Sequence, residues 1–295
     1  MPELPDITLY VDHLEKRLLG EKLLRSFIKS PNLLRTVTPP MRAANGKKVF
    51  EIQTLGKRII LSLEDDLFLV FHLMIAGRFR WREGEAKLPG KGGLAVFEFS
   101  SGTLLLTEVS KKKRASLHVL KGGESLASLD PGGLDVLAAS LSDFQNALTR
   151  ENRTLKRALT NPHSFSGIGN AYSDEILHKA RLSPLKQTKR LAEMEVKTLF
   201  GATQQVLQEW IKRLREEAGD NFPEKVTAFR EGMAVHGRFH KPCPVCETSI
   251  QRVRFADNEM NYCPRCQTGG KLLADRAFSR LLKSDWPKTI EELES

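Results

Sequence analysis

The chain has 295 residues, a formal net charge of +10 and a sequence pI near 9.5. With 40% apolar residues it can build sizeable cores, which excludes a disordered chain. No apolar run reaches the roughly 18 residues of a membrane-spanning helix. The length accommodates two domains and a small module, and the positive balance points to a polyanionic partner.

The opening reads Met1-Pro2-Glu3-Leu4-Pro5-Asp6. Two prolines disfavour helix before residue 6. From there Ile7, Leu9, Val11, Leu14 and Leu18 recur at helical spacing, with Asp6 as the expected N-cap and Gly20 as the stop. Pro2 and Pro5 read in two ways. They merely start the chain, or removal of Met1 leaves Pro2 with a free secondary amine of pKa about 8. Such an amine is partly unprotonated at neutral pH and attacks a carbonyl to give an iminium. Glu3 beside it has the chemistry to move the protons involved.

Residues 22–120 read mostly as strands. Phe50–Leu55, Arg58–Leu63, Leu67–Met74, Leu94–Phe99 and Thr103–Thr107 alternate or run apolar, and Ser100-Ser101-Gly102 forms a hairpin turn. Many short strands with short turns predict a β-sandwich or barrel. Lys57 lies between two strands, either as a solvated lysine or as a group projecting from a rim. Lys111-Lys112-Lys113-Arg114 is either a solvated turn or a track for a phosphate backbone. The Gly- and Ser-rich stretch 122–133 reads as a linker.

From about residue 142 the pattern becomes helical. A helix is predicted over Phe144–Leu159, then a turn containing Gly167-Ile168-Gly169-Asn170, then a helix from Ala171 to about Arg181. Asn170 is the expected N-cap. The turn is either a tight helix–helix connection or a phosphate site that uses free helix amides. Leu191–Leu214 predicts another long helix, and Asp220–Pro223 breaks it.

All four cysteines lie in Cys243-Pro-Val-Cys246 and Cys263-Pro-Arg-Cys266, sixteen residues apart. That is the spacing of a four-thiolate zinc site; the competing reading is two disulfides. With no signal peptide and so few cysteines, zinc is expected. Four protein ligands leave no open position, so the zinc is structural. Ile250–Phe255 and Tyr262 frame a hairpin with a turn at Asp257-Asn258-Glu259. Beyond Cys266, Leu272–Leu282 predicts a helix and Asp285–Ser295 an acidic, frayed end that covers surface.

Together, Pro2-Glu3-Leu4-Pro5-Asp6, the element Phe165-Ser-Gly-Ile-Gly-Asn-Ala-Tyr-Ser-Asp-Glu175, the approach Val235-His-Gly-Arg-Phe-His-Lys-Pro-Cys243 and the cysteine spacing resemble the formamidopyrimidine-DNA glycosylase/endonuclease VIII family of base-excision repair enzymes. The resemblance covers residues 1 to about 268. It implies an α+β multidomain fold. The expected parts are a catalytic β-sandwich with a leading helix (1–130), a helix–two-turn–helix DNA-binding domain (131–234), a four-cysteine zinc-finger hairpin (235–270) and an extension (271–295).

The resemblance further implies a bifunctional glycosylase and abasic-site lyase. Pro2 attacks C1′ of a damaged nucleotide everted from the stack, Glu3 assists ring opening and proton transfer, and β-elimination, with or without δ-elimination, cuts the strand. Lys57 corresponds to a lysine near the target phosphate, Lys156 and Asn170 to phosphate contacts, and Glu175 to a structural residue. One structural zinc ion is held by Cys243, Cys246, Cys263 and Cys266. The partner is damaged DNA, duplex or single-stranded, with no membrane and a monomeric chain. The expected location is cytoplasmic at the nucleoid in a prokaryote, and nuclear or organellar in a eukaryote.

The departures bear on substrate. The family fills the gap left by the everted base with an Arg and a Phe from one loop and a Met from an earlier turn. Lys113 and Ala115 fall at the first two positions, beside Arg114, and Ile75 with adjacent Met74 at the third. Alanine cannot wedge between bases, and lysine lacks the two-pronged contact of arginine. Weak reading of the opposite base is therefore expected. The segment 216–230 is short where 8-oxoguanine-specific members carry a capping loop. Asn258 stands where the family often places a phosphate-binding Arg, so a weaker, uncharged contact is expected. The alternative is a non-catalytic damaged-DNA or abasic-site binding protein on the same scaffold. A zinc-finger transcription factor is disfavoured for want of a recognition helix.

Overall fold

The computed structural model describes all residues except 89, 228, 256–257, 276–278, 280, 282–286 and 295. The chain forms two compact units, residues 1–131 with 210–227, and residues 132–209 with 228–295.

In the first unit α1 (Leu4–Leu18) precedes two four-stranded antiparallel sheets. One has the order β1-β6-β7-β5, built from Leu23–Ile28, Gly93–Phe99, Gly102–Glu108 and Gly77–Arg82. The other is β2-β3-β4-β8, built from Val49–Leu55, Arg58–Leu63, Leu67–His72 and Ser116–Lys121. Their inner faces share one core with Tyr10, Leu14 and Leu18 of α1. Phe71 meets Phe79 and Phe97 edge-on, with ring centroids 5.2 and 5.3 Å apart. Each such ring, fully buried, is worth about 1.5–3 kcal/mol. This is the predicted β-sandwich with a leading helix.

Two local expectations do not hold in this unit. Helix α1 starts at Leu4 rather than after Asp6, with Glu3 as N-cap and Asp6 in the first turn of a capping box. Pro5 is tolerated because first-turn amides have no intrahelical acceptor to lose. The linker also contains a short helix, α2 (Gly123–Ala127).

The second unit carries α3 (Leu141–Thr149), α4 (Leu155–Leu159), α5 (Asn170–Lys179) and residues 193–209 of α6 (Glu193–Ala218). Phe144 packs on Phe165 and Phe200 in its core. The helix predicted over 144–159 is two helices. Residues 151–154 leave the helix to pair with the 184–188 segment: Thr188 Oγ1 donates to the Glu151 carbonyl at 2.7 Å, and the Leu155 amide donates to the Lys186 carbonyl at 2.8 Å. Gly169, not Asn170, is the N-cap of α5, because the Asn170 side chain is engaged elsewhere.

The finger is an antiparallel hairpin, β9 (Gln251–Phe255) and β10 (Asn258–Tyr262), followed by α7 (Pro264–Thr268). Asn258 and Glu259 pair within β10 instead of turning; Asp257 lies outside the described residues. The extension folds back on the finger. The Leu273 amide donates to the Tyr262 hydroxyl and the Arg254 amide to Asp275, both at 2.8 Å. Residues 272–275 are therefore not helical, where a helix was predicted over 272–282; the later part of that range lies largely outside the described residues. At the end a short helix, Ile290–Glu294, is anchored by buried Ile290, so the acidic end is not wholly frayed.

Candidate active site and metal centre

The first site gathers at the start of α1. Pro2 and Glu3 are buried, and the Glu3 amide donates to Asp6 Oδ2 at 2.9 Å. The amino-terminal amine, carried by Met1, has its pKa lowered by burial; Glu3 and Asp6 oppose that shift, and Arg78 and Lys57 reinforce it. Two cations and two carboxylates thus act on the amine from three elements. Lys57 comes from the β2–β3 turn, where Gly56 has φ +61°. Arg78 of β5 escaped the sequence reading; its Nη1 donates to the Ile75 carbonyl at 3.1 Å and so ties the 73–77 turn to this site.

That turn is tight. Met74 has φ +53°, and a Cβ on Gly77 would lie 2.4 Å from the Leu73 carbonyl oxygen, so only glycine fits. Ile75 is left more than half exposed. The loop after β7 is organised by Glu108, which is buried. Its carboxylate accepts from the Arg114 and Ala115 amides at 2.9 and 3.0 Å and from Ser110 Oγ at 3.0 Å. The Lys113 ammonium turns back to the Glu108 carbonyl. Ala115 is buried in the sandwich core, whereas Lys111, Lys112, Lys113 and Arg114 are exposed.

The second site is a polar cluster around adjacent Asp174 and Glu175 of α5. Asp174 Oδ1 accepts from Lys156 Nζ at 2.5 Å; Oδ2 accepts from the Asn261 amide at 3.1 Å and lies 2.8 Å from His236 Nδ1. Lys156, itself buried, also donates to the Asn170 carbonyl at 2.6 Å. Asn170 Nδ2 reaches the Glu259 carbonyl of β10 at 2.7 Å. Glu175 accepts the amides of Ala234, Val235 and His236 at 2.6–2.9 Å. Burial raises its pKa, and these three bonds offset part of the shift. Helix α5 thus holds both the approach to the finger and its hairpin. Asn258 opens β10 opposite Phe255, and its side chain lies outside the described residues.

Sequence reasoning named Lys156, Asn170 and Glu175 but missed Asp174, His236 and Asn261. The available signal was two adjacent acids in a helix whose neighbours Ala171, Tyr172, Ile176 and Leu177 are apolar, and which is buried around its whole circumference.

The four cysteine sulfurs lie within 4.8 Å of one another, and none is in a disulfide. Separations of 3.4 Å (Cys246–Cys263 and Cys246–Cys266) and 3.9 Å (Cys243–Cys266) match a tetrahedron of Zn–S bonds of about 2.3 Å. Burial raises the Cys266 thiol to about 11 and Cys263 further, so a divalent cation is what lets these two act as thiolates. The donor set suits one structural zinc ion, with no position open for water.

Three family models match the chain in order: the formamidopyrimidine-DNA glycosylase N-terminal domain over 1–115, the formamidopyrimidine-DNA glycosylase H2TH domain over 133–219, and the zinc finger found in FPG and IleRS over 241–269. A formamidopyrimidine-DNA glycosylase-like protein of Mycobacterium tuberculosis is 41% identical over 151 residues, 51% of this chain and 94% of its own length. The formamidopyrimidine-DNA glycosylase of Heliobacterium modesticaldum is 30% identical over 283 residues, 90% of this chain and 100% of its own. Among solved structures, Lactococcus lactis FPG in complex with an abasic site containing DNA superposes with a TM-score of 0.79 at 25% identity, covering 90% of this chain and 99% of that one. The Thermus thermophilus MutM (FPG) protein gives 0.76 at 28%, covering 90% and 98%. With a relative of 30% identity matched along its whole length and all three family segments present in order, this chain belongs to the formamidopyrimidine-DNA glycosylase family.

Proposed function

We propose that this DNA repair glycosylase uses Pro2 as its nucleophile and is also an abasic-site lyase. The observation that carries the reading is the buried amine, acted on by Glu3, Asp6, Arg78 and Lys57. Removal of Met1 makes the Pro2 nitrogen, one residue further along and itself buried, the terminal amine. The lone pair of the Pro2 nitrogen forms a bond to C1′ as the glycosidic bond breaks, and the base leaves with a proton. Ring opening then places a proton on O4′, delivered with help from Glu3, and leaves an iminium between Pro2 and C1′. The iminium acidifies the 2′ proton; its loss expels the 3′ oxygen and cuts the strand, and water releases the protein. Lys57 serves the phosphate of the target nucleotide. Lys156 and Asn170 support phosphate binding in the helical element, Asn170 through its hold on β10.

The 110–115 loop narrows the substrate. Ala115 is buried and Lys113 is turned onto Glu108, so neither stands ready to fill a gap in a duplex. Base pairing is read weakly, and abasic sites and single strands are among the substrates. The test is borohydride trapping on abasic DNA, single- and double-stranded, with the cross-linked peptide identified by mass spectrometry. A peptide beginning at Pro2, with the adduct lost in Pro2→Gly, is the expected result. Absence of an adduct with Met1-processed protein overturns the mechanism and leaves a damaged-DNA binding scaffold. A panel of oxidised purines and pyrimidines then identifies the base released.

A further inference from the structure

The sulfurs of the zinc site differ in their surroundings. Cys246 is bonded by Thr248, and Cys263 accepts the Cys266 amide at 3.4 Å, both from within the finger. Cys243 accepts the Val245 amide of its own turn at 3.5 Å and has a further neighbour from outside the finger: Nε2 of His178 lies 3.3 Å from its Sγ. His178 sits in the last turn of α5, 65 positions earlier in the chain, and both residues are buried. A zinc-bound thiolate offers only lone pairs, so an imidazole nitrogen at this distance serves it by donating a proton.

We propose that His178 is an outer-shell residue of the zinc centre, donating Nε2–H to the Cys243 thiolate. The bond disperses negative charge on the sulfur. Zinc is then lost more slowly, and the sulfur becomes a poorer nucleophile toward electrophiles and oxidants. It also completes a row on α5: Asp174 holds His236 and Asn261, Glu175 holds the 234–236 backbone, and His178, one turn on, holds the metal knot itself. This role concerns metal retention and stands apart from the proposed base-excision chemistry.

The test uses the full zinc-loaded protein. Zinc transfer to a chromogenic chelator is followed for wild type, His178→Phe and His178→Gln. Loss of outer-shell partners commonly weakens metal affinity by about 10–100-fold, and His178→Phe is expected to release zinc faster by a factor in that range. His178→Gln, which keeps an N–H donor, should recover most of the difference. In cobalt-substituted protein His178→Phe should also shift the sulfur-to-metal charge-transfer band to lower energy, a change that lost packing alone does not produce. Release from His178→Phe at the wild-type rate, or from His178→Gln as fast as from His178→Phe, overturns the proposal. If the variants fail to fold, imidazole nitrogen NMR of the wild-type protein decides: a proton on Nε2 supports the assignment, and a bare Nε2 with the proton on Nδ1 refutes it.

Discussion

Burial lowers the pKa of the amino-terminal amine from its ordinary 8.0; Glu3 pulls it back up, and Arg78 and then Lys57 push it down. That amine is carried by Met1; once Met1 is removed the buried Pro2 nitrogen becomes the terminal amine, and burial is expected to leave its free, nucleophilic form present at lower pH than for a solvated amine. Adduct formation on abasic DNA should therefore rise with pH through a midpoint below 8. Arg78→Gln removes a charge that disfavours the protonated form, so its midpoint moves to higher pH. Trapping yield against pH checks both, and a wild-type midpoint at or above 8 contradicts the assignment. Glu108 illustrates a different residue-scale effect. One buried carboxylate fixes the 110–115 loop through three hydrogen bonds, to the Ser110 hydroxyl and to the Arg114 and Ala115 amides.

The extension beyond the zinc-finger match, which ends at 269, is tied to the hairpin by specific bonds. Tyr262 Oη accepts from Leu273, Asp275 accepts from the Arg254 amide, and Leu273 packs with Val253 and Met260. Two hydrogen bonds at about 1 kcal/mol each, plus burial of Leu273 and Ile290, amount to several kcal/mol of local stabilisation. Cutting the chain after Gly270 should make the Arg254 amide exchange with solvent at least ten-fold faster while leaving amides of the β-sandwich unchanged. Hydrogen exchange resolved by residue measures this, and an unchanged Arg254 rate would show that the extension is only surface cover. The strands and the finger hairpin were legible in the sequence because alternation and turn residues act locally. Elements set by distant partners were not. The break at 151–154 depends on residues 184–188, and the non-helical 272–275 segment depends on Tyr262 and on the chain around 288–290. The site divides in the same way. The four cysteines announce themselves by residue type and spacing, and Pro2-Glu3 stands out only through the resemblance of the opening segment, whereas Arg78, the Asp174 cluster and His178 acquire meaning only through partners brought together by folding.

At the scale of the whole molecule, 46 basic against 36 acidic residues leave a net +10, but those charges are not equally available to DNA. Lys156 is already neutralised by Asp174 in a buried pair, whereas Lys111, Lys112 and Arg114 are exposed. Counterion release depends on net charge brought to phosphate. If about four exposed cations engage, log affinity should fall with log salt at a slope near −3.6, a loss of about two orders of magnitude between 50 and 200 mM. Lys111→Ala should flatten the slope by about one unit and weaken binding to every sequence alike. Lys156→Met should leave the slope nearly unchanged, because Lys156 is turned onto Asp174 and brings no free charge to phosphate. Its cost appears in stability instead: about 3–5 kcal/mol, since Asp174 stays buried with only His236 and the Asn261 amide for support. Fluorescence anisotropy on abasic duplex across a salt series, paired with thermal unfolding of each variant, separates the two roles. A full-unit change in slope for Lys156→Met would make it a phosphate ligand in its own right, and a flat salt response in the wild type would remove the phosphate assignments altogether.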